Sequence, residues 1–113
     1  MSLDRFSVVG KLLGKTPVVG LDFGPGRVYV KLEYLNPTGS HKDRIAYYML
    51  RDLFSRGLVK QGDRVVEASS GNTAISVSWV SSLVGLRPVI FSEETISRGK
   101  LALLRGLGAE VHL

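Results

Sequence analysis

A lysine at the start of a predicted helix is the side chain in this sequence best suited to covalent chemistry. Residues 36–39 (Asn-Pro-Thr-Gly) have turn chemistry, and Ser40 followed by Asp43 forms an acidic variant of a capping box. This pattern predicts that a helix begins at about Lys42. The N–H groups and the dipole of a helix N-terminus disfavour an ammonium, which favours the neutral amine that attacks carbonyl compounds to form Schiff bases. The position alone also fits a solvated lysine that Asp43 compensates.

A second candidate site is the run Ser69, Ser70, Gly71, Asn72 and Thr73, which follows a predicted strand and opens a predicted helix. In α/β sheets ligands bind at the carboxyl ends of strands, and the free N–H groups of a helix N-terminus suit an anion. The hydroxyl and amide side chains add donors, so we expect a carboxylate or a phosphate here. The alternative is that a serine only caps a buried helix. The glycine spacings of a Walker A loop and of a dinucleotide fingerprint are absent.

The elements that position these residues form an α/β pattern. In the second half of the chain we predict strands and helices that alternate at the spacing of right-handed βαβ crossovers and a parallel sheet: strands at 64–68, 87–91 and 110–113, and helices at 72–84 and 97–107. Upstream we predict a helix at 5–13, a strand at 18–21, a half-buried strand at 27–33 and a helix at 42–56. No charged residue lies between Glu67 and Arg87, so the helix there is expected to be buried on most sides.

Composition narrows the class of protein. The 113 residues, with 44% hydrophobic and 22% charged side chains, are typical of one globular domain. The absence of cysteine excludes disulfides, thiolate metal sites and cysteine nucleophiles, and neither histidine stands at metal-ligand spacing, so we expect no metal. The charge of +5 is scattered, which disfavours nucleic acid as a partner. Without an apolar signal core or a membrane-spanning stretch, we expect no membrane partner and a cytoplasmic location.

The two motifs together closely resemble the cysteine synthase/cystathionine β-synthase family of fold-type II pyridoxal phosphate (PLP) enzymes. The resemblance rests on residues 36–44 and 70–73 and extends to 14–19, 31–33 and 98–113. It implies an α/β fold of the tryptophan synthase β type, built around a parallel sheet. Residues 1–113 would form a single α/β unit, with N-terminal strands in 1–35 and the lysine motif and a small mobile domain in 36–113.

The resemblance also implies roles for the residues of both motifs. Lys42 would be the Schiff-base lysine, which also moves protons at the substrate α-carbon, and Asn72 would bind the ring oxygen of PLP. The remaining loop residues would grip the α-carboxylate of an amino-acid substrate: Ser69, Ser70, Gly71 and Thr73. Three positions depart from the common family pattern, because Ser69 replaces threonine, Ala74 replaces glycine and His41 replaces a small or aliphatic residue.

The implied activity is PLP-dependent β-replacement of cysteine synthase type, in which sulfide replaces the activated oxygen of a serine. Family members are several-fold longer, and their phosphate-binding loop comes from a later segment. We therefore expect the chain to be an N-terminal portion, either truncated or completed by a complementary chain that supplies this loop. The expected assembly is a homo-oligomer or such a two-chain complex. Threonine synthase, serine/threonine dehydratase and cystathionine β-synthase activities remain alternatives, as does a non-catalytic interaction module. Whether the chain alone is an enzyme is open.

Overall fold

The computed structural model describes residues 3–113 of the chain. Its α-helices are α1 (Leu3–Leu12), α2 (Lys42–Ser55), α3 (Asn72–Val84) and α4 (Arg98–Gly106). Its strands are β1 (Val18–Phe23), β2 (Gly26–Lys31), β3 (Arg64–Ala68), β4 (Arg87–Phe91) and β5 (Glu110–His112), with a short 3-10 helix at Glu33–Leu35. None of the helices within these residues is long and apolar enough to span a membrane.

The second half of the chain forms a parallel sheet of order β3-β4-β5. Val66 pairs with Val89 and Ile90 with Val111, so both outer strands run parallel to β4. Helices α3 and α4 provide the two crossovers, and α3, β3 and β4 begin and end at the residues expected from the sequence. The α/β prediction with βαβ crossovers is therefore confirmed. Gly85 ends α3 because its φ of 83° is a left-handed conformation that glycine adopts without a steric penalty.

Helix α3 is the centre of the packing. It contacts α1, α2 and α4 as well as β3 and β4. Its apolar residues divide between two clusters: Val77, Val80 and Val84 pack with α1 and α2, whereas Ala74 and Ile75 pack with β4 and α4. The expected burial of this helix is confirmed over most of its surface. Because the loop at 69–73 leads into a helix held on several sides, the start of α3 is a rigid position for a binding group.

Strands β1 and β2 form an antiparallel hairpin, and here the prediction of a half-buried strand is wrong. Every residue of both strands is exposed, and the hairpin packs against no other α-helix or strand of residues 3–113. The alternating pattern correctly predicted extended structure, but burial of its apolar face needs a second surface that these elements do not provide. The projecting hairpin also explains a radius of gyration of 16.0 Å, because a compact chain of this length has about 13 Å.

Candidate active site

Lys42 is the first residue of α2, as its sequence context predicted. Its side chain is half-buried, and its backbone N–H donates to Ser40 Oγ at 3.1 Å. Within residues 3–113 the Lys42 ammonium has neither a hydrogen-bond acceptor nor a carboxylate partner. The amine is therefore available to a ligand or to solvent, and neither Asp43 nor another acid of these residues pairs with it.

Asp43 does not form the predicted capping box. Its carboxylate is fully buried and accepts hydrogen bonds from the Thr38 N–H at 2.8 Å, from the Thr38 hydroxyl and from Ser76 Oγ of α3 at 2.7 Å. His41 occupies the N-cap position of α2 with a helical backbone and no side-chain cap. The capping-box prediction is wrong because the Asp43 side chain is buried. Its carboxylate accepts a hydrogen bond from the Ser76 hydroxyl of α3 instead of one from the backbone at the start of α2.

Arg44, two residues after Lys42, anchors the preceding turn. Its guanidinium binds both carboxylate oxygens of Glu33, at 2.8 and 3.0 Å, and the Thr16 hydroxyl donates to the same carboxylate. The hydrogen bond from Arg44, assisted by the one from Thr16, lowers the pKa of Glu33 to about 2. Asn36 donates to Glu33 at 3.0 Å and accepts from the Gly14 N–H at 3.0 Å. This cluster, which we call the Glu33 cluster (Gly14, Thr16, Glu33, Asn36 and Arg44), fastens the turn to residues 14–16.

The loop that precedes α3 leaves backbone donors without acceptors at the helix N-terminus. Gly71 is the N-cap residue of α3 and provides no side-chain cap, while Ser69 Oγ accepts from the Gly71 N–H at 3.2 Å. The N–H groups of Asn72, Thr73 and Ala74 have no acceptor in the part of the chain that the structure describes. The capping alternative for the serines is therefore wrong, and the helix start has the free donors that an anion site requires.

The two motifs meet through a single pair of residues. Ser76, which donates to Asp43, follows Asn72 by one helical turn and lies on the same face of α3. Asp43 is the direct neighbour of Lys42, so the first turn of α2 contacts α3 one turn after Asn72. Asn72 is exposed, and its side-chain amide has no partner within residues 3–113.

Two residues of the predicted carboxylate loop, Ser69 and Ser70, line a cavity that does not include Lys42 or Asn72. The cavity has a volume of about 290 Å³ and lies at the carboxyl edge of the sheet, where it is also lined by Ala68, Phe91, Ser92 and Glu93. Gly71 and Thr73 are half-buried at the start of α3 and stand between the two regions.

Sequence reasoning missed the residues that hold the site together. Thr38 and Ser76 bind the buried carboxylate beside Lys42, and Glu33 binds the arginine that follows it. One signal was present: Asn72 and Ser76 are four residues apart, which places these two polar side chains on one face of the helix. The partner of that face could not be read from the spacing.

Comparisons with known proteins show the family of this chain. The sequence model of the family described as "Pyridoxal-phosphate dependent enzyme" matches residues 9–113. A cysteine synthase of Staphylococcus aureus is 43% identical over 109 residues, which cover 93% of this chain and 35% of that protein. A cystathionine beta-synthase of Apis mellifera is 38% identical over 105 residues, covering 88% of this chain and 21% of that protein.

A solved structure shares the fold. The hydrogen sulfide-producing enzyme of Fusobacterium nucleatum superposes with a TM-score of 0.90 and 34% identity, covering 99% of this chain and 35% of the enzyme. The chain thus spans about a third of the length of the staphylococcal and fusobacterial proteins. The family model, the sequence relatives and the solved structure each match nearly all of the chain. The chain therefore belongs to the pyridoxal-phosphate-dependent enzymes of fold-type II, in the cysteine synthase/cystathionine β-synthase family.

Proposed function

We propose that this chain provides the lysine and the carboxylate-binding portion of a PLP-dependent enzyme that replaces the β-substituent of an amino acid. The observation that carries the proposal is the position of Lys42 and Asn72 at the beginnings of two adjacent helices, where the amine and the amide both lack partners among residues 3–113. An amine for the cofactor aldehyde and an amide for its ring oxygen are the groups that this part of a PLP site needs.

The chain's own residues fit the cofactor and its amino-acid substrate. Bound PLP supplies an electron-poor ring that stabilises negative charge at the substrate α-carbon. Lys42 would hold the aldehyde carbon and carry the α-proton, and Asn72 would donate to the ring oxygen. The N–H groups at the start of α3, with the hydroxyls of Ser70 and Thr73, would bind the substrate carboxylate.

The position of Glu93 supports one of two locations for that carboxylate. Glu93 lines the cavity beside Ser69 and Ser70, and a second carboxylate inside this cavity would be repelled by it. We therefore propose that the substrate carboxylate binds the unpaired N–H groups at the start of α3 rather than the cavity. Ser69 then supports the loop, since its hydroxyl orients the Gly71 backbone.

For the reaction we propose that sulfide replaces the activated oxygen of a serine, as in cysteine synthase. The name of the staphylococcal relative supports this choice, whereas the bee relative keeps cystathionine β-synthase chemistry as the alternative. Because the chain spans about a third of the staphylococcal protein, we propose that a complementary chain or the rest of a longer protein supplies the phosphate-binding loop. A homo-oligomer is the assembly that we propose for the longer protein. The division into residues 1–35 and 36–113 and the cytoplasmic location stay predictions.

The test is reductive labelling. The chain is incubated with PLP, reduced with borohydride and digested, and the pyridoxyl adducts are located by peptide mass. We expect an adduct concentrated on Lys42 and absent from Lys42→Ala, with Lys60→Ala as the matched control that removes an exposed lysine. Weak labelling spread evenly over the lysines would refute a cofactor site in this chain.

A second candidate function is a non-catalytic module that associates with another copy of itself. The observation that favours it is the uncovered face of the hairpin, on which Val19 pairs with Val30 and Leu21 with Val28. These four side chains are between 37% and 49% exposed, and a two-stranded sheet with an uncovered apolar face is only marginally stable alone.

Sedimentation velocity distinguishes this candidate. If two hairpins pack face to face, the chain sediments as a dimer and Leu21→Lys makes it monomeric. Tyr29→Lys is the matched control, because Tyr29 is exposed on the opposite face of the same hairpin. A monomer at all concentrations, or an equal effect of both variants, would contradict association through this face.

A further inference from the structure

The carboxylate beside Lys42 is buried without a cation. Asp43 has no exposed surface and makes no ion pair within residues 3–113. Instead it accepts three hydrogen bonds, two from Thr38 and one from Ser76. Removing a carboxylate from water is unfavourable unless its oxygens accept hydrogen bonds inside the protein. The three hydrogen bonds therefore offset the cost of burying Asp43.

The three donors come from two separate parts of the fold. Thr38 belongs to the turn that leads into α2, and Ser76 belongs to the second turn of α3. The Thr38 hydroxyl also lies 3.3 Å from Ser76 Oγ, which closes a triangle of polar groups between the turn and the two helices. Within this triangle the Asp43 carboxylate is the shared acceptor.

We propose that Asp43 is a positioning residue for Lys42: its carboxylate ties the first turn of α2 to Ser76 and thereby holds the lysine amine at a fixed place relative to Asn72. Asp43 follows Lys42 directly, and Ser76 follows Asn72 by one turn on the same helix face. A loss of this tie leaves the amine present but poorly aligned, and misplacement of a reacting group by about 1 Å lowers rates up to 100-fold.

The chain contains an internal control for this inference. Ser76, Ser78 and Ser81 all lie on α3 with no exposed surface. Ser76 Oγ donates to Asp43, whereas Ser78 Oγ and Ser81 Oγ have no partner among residues 3–113. Ser76→Ala therefore removes the tie, and Ser81→Ala removes an equally buried hydroxyl from the same helix without touching it.

The first experiment rests on the proposed function and measures the rate of reductive PLP labelling at Lys42, with Lys60 as the internal reference. Ser76→Ala is expected to lower the Lys42:Lys60 ratio about tenfold, the effect of one lost hydrogen bond to a charged group, and Ser81→Ala to leave it unchanged. Because Lys60 is exposed, its labelling corrects the ratio for protein concentration and reduction yield. Far-UV circular dichroism verifies that each variant is folded.

The second experiment needs no cofactor. Because the sequence has no cysteine, Asn72→Cys creates a single thiol. A short amine-to-thiol cross-linker is added, and the yield of the link between Lys42 and the thiol at position 72 is measured relative to the links from the same thiol to other lysines. This relative yield reports how close the Lys42 amine lies to position 72. Adding Ser76→Ala should reduce the Lys42 link, and adding Ser81→Ala should not.

The two experiments separate the positioning role from the proposed function. If wild-type protein shows no labelling preference for Lys42 but the cross-link depends on Ser76, the cofactor site fails and the positioning of Lys42 stands. If a folded Ser76→Ala chain keeps both the wild-type labelling ratio and the wild-type cross-link, Asp43 does not position Lys42.

Discussion

The hydrogen bond between Ser76 and Asp43 should also be measurable as stability. Ser76→Ala removes a 2.7 Å hydrogen bond to a fully buried carboxylate. Hydrogen bonds to charged groups contribute about 1.5–3 kcal/mol, and alanine recovers about 0.5 kcal/mol through its higher helix propensity. The expected net loss is therefore about 1–2.5 kcal/mol in the free energy of unfolding.

Ser81→Ala gives the matched comparison. The Ser81 hydroxyl is equally buried but has no partner, so its removal should not destabilise the chain. We expect it to stabilise the protein by about 0.5 kcal/mol or more, since alanine favours the helix and an unsatisfied hydroxyl disappears from the interior. Each variant loses one hydroxyl group from α3 relative to wild type, and the expected changes in the free energy of unfolding have opposite signs.

Urea unfolding measures both effects. Trp79 is the single tryptophan, is half-buried beside the core of α1, α2 and α3, and reports on the packing of α3 by fluorescence. With a urea m-value of about 1.5 kcal/mol/M, the loss for Ser76→Ala lowers the midpoint by about 1 M. If Ser76→Ala and Ser81→Ala had the same midpoint, the interpretation of Asp43 as a tie between α2 and α3 would be refuted.

Two further predictions concern neighbouring contacts. Arg44 lowers the pKa of Glu33 from 4.5 to about 2, so this contribution to stability is fully present above about pH 4.5 and disappears as the pH falls toward 2. Arg44→Gln should therefore be least stable relative to wild type above pH 4.5, and a difference in urea midpoint that grows toward pH 2 would contradict this assignment. Gly10→Ala should destabilise the chain by about 1–2 kcal/mol despite the helix propensity of alanine, because the new Cβ would lie 2.9 Å from Cζ of the buried Tyr47 ring. Thermal unfolding tests this, and a raised midpoint would show that the ring moves aside freely.

The sequence by itself determined the elements and the chemistry-bearing residues. The apolar stretch around α3, the glycine that ends it and the alternating strands on either side depend on interactions within a few residues, so their bounds followed directly from spacing and turn chemistry. The same local information placed Lys42 at the start of α2. The parallel sheet followed because short strands that alternate with helices pair in parallel through crossover connections, which are almost always right-handed.

Only the tertiary structure decided which polar groups satisfy each other. Asp43 and Ser76 are 33 residues apart, and Arg44 and Glu33 are 11 apart, so their pairing depends on how the helices and the turn pack. The acidic capping box failed for this reason, since a buried donor on α3 competed successfully with the local backbone. The exposure of the hairpin likewise could not be predicted from its alternating apolar and polar residues. Such a pattern indicates that a strand has an apolar face, but the face is buried only if another part of the fold covers it.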